Sequence, residues 1–80
     1  SKILVHDSVR NKLILGDVKA EINKGRKVVI ITERKEHIDS LHQYLKQSYE
    51  AITLSGEDSE INKNTKGKNL KNGNYQVLIT

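Results

Sequence analysis

Two six-residue runs share one form: Lys27-Val28-Val29-Ile30-Ile31-Thr32 and Tyr75-Gln76-Val77-Leu78-Ile79-Thr80 each carry an apolar centre closed by threonine. A third, shorter run, Ala51-Ile52-Thr53-Leu54, is followed by Ser55-Gly56. If the three are parallel strands, small polar residues gather just past their carboxyl ends, where open α/β sheets hold ligands. Thr32 leads into Glu33-Arg34-Lys35, at the expected start of a helix whose free amides and dipole favour a phosphate. Gly56 removes a side chain where a backbone amide can approach an anion, and Arg34 or Lys35 can pair with that anion. The chemistry is recognition of phosphate, with no bond broken. The competing reading is structural: Thr32 caps the helix and Gly56 turns the chain.

Other kinds of site fail on spacing. The nearest match to GxxxxGK[ST] runs from Asn62 to Asn69, but Asn62 replaces the first glycine, Asn69 replaces the hydroxyl, and no strand leads into it. No G-x-G occurs, so a dinucleotide fingerprint is absent. His37 and His42 stand roughly 140° apart round a helix and do not make a metal site. A capping or i,i+4 contact accounts for Glu33 and His37. His6-Asp7-Ser8 holds the letters of a hydrolytic triad without a placed nucleophile and base.

The elements that must position these residues follow from periodicity. Asp7-Ser8 offers a helix cap, Ile14, Val18 and Ile22 recur at helical spacing, and Gly25 sits at a helix end. Val28 to Ile31 is β-branched and apolar without alternation, which fits a strand covered on both faces. Lys35 to Gln47 is the clearest helix, with Ile38, Leu41 and Leu45 on one stripe. Ser59 to Leu70 is a weaker helix, rich in asparagine and interrupted by Gly67, and Asn72-Gly73-Asn74 turns the chain into the last strand. Ile3-Leu4-Val5 is an apolar stub with no assigned element. Alternating α and β predicts a three-layer α/β domain with a parallel sheet of about three strands. Placing the most apolar strand, Val28–Ile31, in the middle gives the order 2-1-3.

Eighty residues make one small domain that buries about 60% of its unfolded surface. There is no cysteine, hence no disulfide framework and no thiolate zinc site, which fits a reducing cytoplasm. The longest apolar run, Val28 to Ile31, is far short of the roughly 20 residues of a membrane span. We therefore expect a cytoplasmic protein without membrane contact. The net charge of +4 equals the four lysines at 63, 66, 68 and 71, in a stretch from Asn62 to Asn74 that holds no acid. A solvated face is the ordinary account of such a cluster.

The run Lys27 to His37, continuing through Ile38-Asp39-Ser40-Leu41, resembles motif IV of superfamily-two helicases, most closely the DEAD/DEAH-like, restriction-enzyme-associated branch. Gly25-Arg26-Lys27 is similar to that family's lead-in, Ile52-Thr53-Leu54-Ser55-Gly56 to the strand and glycine that follow, and Tyr75 to Thr80 to the start of motif V. The resemblance covers Asn11 to Thr80. It implies that residues 1–80 are a piece of the C-terminal RecA-like motor domain, cut within motif V. It further implies that Thr32, Gly56 and Thr80 lie near the sugar-phosphate backbone of a bound strand, with Arg34 nearby. The Asn/Lys-rich third helix departs from the family's apolar pattern.

On this reading the chain binds single-stranded DNA or RNA through Thr32, Arg34, Lys35, Ser55, Gly56 and Thr80, and has no catalytic residue or cofactor of its own. ATP and magnesium are expected in the parent protein, on an N-terminal RecA-like domain that is also the partner in the motor. The alternative is a small flavodoxin-like binding or regulatory domain with no nucleic-acid role.

Overall fold

The computed structural model describes residues 2–5 and 11–80; the candidate cap Asp7-Ser8 and His6 lie outside them. The elements are β1 (Lys2–Val5), α1 (Asn11–Asn23), β2 (Val28–Thr32), α2 (Lys35–Leu45), β3 (Ala51–Thr53), α3 (Glu60–Asn72) and β4 (Val77–Ile79). All strand pairs are parallel, so the α/β class and the alternation expected from the sequence are present.

The sheet has four strands in the order β1-β2-β4-β3. The expected order 2-1-3, with Val28–Ile31 between the other two runs, is therefore incorrect. Ala51 to Thr53 pairs with Val77 to Ile79, and Ile52 aligns with Leu78. The physical reason lies in the stub Ile3-Leu4-Val5, which forms β1 and covers the outer edge of β2, with Ile3 opposite Ile30 and Val5 opposite Thr32. The most apolar strand is thus interior without needing β3 beside it. Its other neighbour is β4, whose Val77 and Ile79 are fully buried.

One face of the sheet is well covered. Val28 and Ile30 of β2 and Val77 and Ile79 of β4 pack in one cluster with Ile14 and Val18 of α1 and Ile38, Leu41 and Leu45 of α2. The chain passes from β1 to β2 and from β2 to β3 in one direction across the sheet, then returns from β3 to β4. Right-handed crossovers put α1 and α2 on the covered face and α3 on the opposite one. That second face is poorly filled. Val29, Ile31, Ile52 and Leu78 are only half-buried, and α3 buries no side chain. Val28–Ile31 is therefore buried on one face and half-buried on the other, where cover on both was expected.

The helix ends follow local chemistry. α1 closes at Gly25, left-handed at φ 77°, whose amide donates to the Ile22 carbonyl at 2.9 Å. α3 opens at Ser59, whose hydroxyl accepts from the Asn62 amide at 3.2 Å, and closes at Gly73, left-handed at φ 73°. The helix expected over Ser59–Leu70 forms despite Gly67, and the Asn72-Gly73-Asn74 turn is its C-terminal cap.

Candidate nucleic-acid interface at the carboxyl edge

The chain leaves β2 toward one face of the sheet and β3 toward the other, and the end of β4 lies between them. A crevice opens in such sheets where neighbouring connections diverge. Here a pocket of about 270 Å³ occupies that position. Thr32, Arg34 and Lys35 form its β2–α2 wall, Ser55 and Gly56 its β3–α3 wall, and Thr80 lies between the two. All six residues singled out in the sequence line it. The corrected strand order makes Thr80, in place of Thr32, the central residue of the site. Glu33, Ile38, Leu54 and Glu57 complete the lining.

Backbone pairing fixes the floor. The Thr32 amide donates to the Thr80 carbonyl at 2.8 Å, and the Thr80 amide donates to the Ile30 carbonyl at 2.9 Å. On the first wall, the Thr32 hydroxyl accepts from the Arg34 amide at 3.4 Å and lies 3.3 Å from His37 Nδ1. Arg34 is the N-cap position of α2 and makes no side-chain cap bond. Thr32 therefore ties the loop down from two residues before the cap, and His37 turns to Thr32 instead of Glu33. The amides of Lys35 and Glu36 open the first turn and have no acceptor within the helix, which leaves partial positive charge at the pocket.

The second wall is a clamped turn. The Ser55 amide donates to Asp58 Oδ2 at 2.9 Å, and the Asp58 amide returns a bond to the Ser55 carbonyl at 3.2 Å. Lys66, on α3, donates to Asp58 Oδ1 at 3.1 Å and to the Thr53 hydroxyl at 3.4 Å. The Ser55 amide first, then Lys66, hold the Asp58 carboxyl below its ordinary value of 3.8. Gly56 and Glu57 sit at the tip of this turn, and the Glu57 carboxylate forms an ion pair with Lys35 across the pocket. The same pair holds the Lys35 ammonium above its ordinary value.

Sequence reasoning did not find Glu57, Asp58 or Lys66 as parts of the site. Asp58, three residues past Ser55, carries a recognisable turn signal. Glu57 and Lys35 are 22 residues apart and meet only through the sheet order. Of the four clustered lysines, Lys63, Lys68 and Lys71 are exposed as a solvated face requires, whereas Lys66 is half-buried in the clamp. Among the described residues no helix is long and apolar enough to cross a membrane.

No protein-family model matches this chain, and no curated protein matches it.

The volume bounds what the pocket can hold. Sites that enclose a small molecule measure about 300–1,000 Å³, and this pocket lies just below that range. Among the described residues, Arg34 and Lys35 place two cations on its lining and Glu33 and Glu57 two carboxylates.

Proposed function

We propose that this chain is the backbone-binding part of the C-terminal motor domain of an ATP-dependent helicase or translocase, and that its pocket holds a phosphodiester of single-stranded DNA or RNA. One observation carries the reading: six residues chosen for phosphate recognition, from three separate stretches of sequence, line one pocket at the carboxyl edge. The resemblance to motifs IV and V supplies the class of protein. The helix amides, the hydroxyls of Thr32, Ser55 and Thr80, and the cations of Arg34 and Lys35 supply contacts suited to a phosphate. ATP and magnesium belong, in this reading, to the N-terminal RecA-like domain, and domain closure and opening move the strand. The flavodoxin-like alternative has less support, because the order β1-β2-β4-β3 is not the 2-1-3-4-5 order of that fold.

Affinity should come from phosphates, since the chain has three tyrosines and no tryptophan or phenylalanine for base stacking. Fluorescence anisotropy of a labelled oligothymidine should give a dissociation constant of about 10⁻⁴ M or weaker. With two cations engaged, its logarithm should vary against log salt with a slope of magnitude about 1.4. Replacing Arg34 and Lys35 together by alanine should abolish binding, and replacing Lys63, Lys68 and Lys71 should leave most of it. The reverse ranking would make the binding a diffuse lysine effect and defeat the proposal.

A further inference from the structure

We propose that Glu57 is a specificity-determining residue, which denies a doubly charged terminal phosphate its advantage and leaves the pocket to the singly charged phosphodiester. The inference rests on the phosphate-binding reading above and narrows its ligand class. Among the described residues, two cations line the pocket, Arg34 and Lys35, and so do two carboxylates, Glu33 and Glu57, so that the formal charges of these four cancel. An anion reaching Lys35 meets a site already shared with Glu57, whose carboxylate is paired to that ammonium.

Glu57 is placed to stay there. Its backbone rides on the turn closed by Ser55 and Asp58, and Lys66 pins that turn to α3. The side chains of Lys35 and Glu57 are 54% and 69% exposed, so the pair stands at the mouth, and Glu57 can release Lys35 without disturbing the core. Once released, it remains within a few ångströms of the bound phosphate. Each unit of ligand charge at about 4 Å from a carboxylate in water is opposed by a factor of about five in affinity. A phosphodiester meets that factor once. A phosphomonoester, doubly charged above its second pKa of about 6, meets it twice. The extra charge of free nucleotides and inorganic phosphate therefore gives them no advantage over the backbone of a strand.

The test is an amide-shift titration of the 80-residue chain at pH 8 and low salt with thymidylyl-thymidine, one phosphodiester, and with thymidine 5′-monophosphate. The unsubstituted chain should bind the dinucleotide at least as tightly as the monophosphate, read at Thr32 to Lys35 and Gly56. Glu57→Gln should tighten the dinucleotide about five-fold and the monophosphate about 25-fold, reversing the ranking. Glu57→Asp, which keeps the carboxylate, should keep the original ranking. Equal gains for both probes, or a monophosphate preference before substitution, would refute the selectivity role and leave the site intact. Absence of shifts at those amides with either probe, in all three proteins, would refute the site and the inference together.

Discussion

Helices α2 and α3 flank the same sheet and are held to it by different forces. α2 is amphipathic, and Ile38, Leu41 and Leu45 enter the core at 7%, 0% and 2% exposure. α3 has no fully buried side chain; Ile61 is 78% exposed, and Leu70 is only half-buried. What fixes α3 is its two ends and one polar clamp: Ser59 on the Asn62 amide, the left-handed Gly73, and Lys66 on Asp58 and Thr53. α2 thus stabilises the fold through area removed from water, and its first turn presents the pocket's cationic wall. α3 contributes little apolar burial and fixes the turn that forms the other wall. The difference shows that a helix can matter to a site more than to the core.

The largest expected contrast lies in the sheet between them. Ile30 faces α1 and α2 and is fully buried, whereas its neighbour Ile31 is half-buried on the side of α3. Ile30→Asp should unfold the domain, since an unpaired buried carboxylate costs several kcal/mol against a total of about 5. Ile31→Asp should remain folded at reduced stability. Circular dichroism and urea midpoints decide this, and equal effects would show that both faces are equally covered.

A smaller contrast compares the helices directly. Leu41→Ala should cost about 2–5 kcal/mol, because it opens a cavity under α2. Leu70→Ala on α3 should cost no more than about 1 kcal/mol, as partial burial gives up less transfer energy. In a domain of this size each kcal/mol moves the melting temperature by about 4–8 °C, which separates the two variants clearly. A similar drop for both would mean that α3 packs as α2 does.

The smallest effect concerns the clamp. Asp58→Asn should lower stability by about 1 kcal/mol at neutral pH, the scale of a partly exposed ion pair with its hydrogen bonds. Because the folded Asp58 carboxyl lies below its ordinary value of 3.8, its contribution is present above that pH. It is lost as pH falls through the folded value. The difference in melting temperature between Asp58→Asn and the unsubstituted chain should therefore hold at pH 7 and close below about pH 3.8. A difference independent of pH would place the effect elsewhere than in the carboxylate.

How much of this was legible in the sequence divides along the same line. α2 was plain from the spacing of Ile38, Leu41 and Leu45, because burial imprints the helical period on the chain. α3 carries no such stripe, and the Asn72-Gly73-Asn74 turn signal marks where it ends without saying what the helix does. The six pocket residues were legible because strand ends in a parallel sheet share an edge whatever the order. The order itself was not, since β1 is a four-residue run whose pairing depends on neighbours far along the chain. Glu57 was invisible for the same reason: its partner Lys35 comes close only after the sheet assembles.

We propose that nucleic-acid binding belongs to the pocket that α2 opens and not to the lysines of α3. An amide-shift titration of the chain with oligothymidine measures this most directly. Shifts at Thr32 to Lys35 and at Gly56, fading as salt rises, are the predicted result. Shifts confined to Lys63–Lys71, or no shifts at low salt, would contradict it.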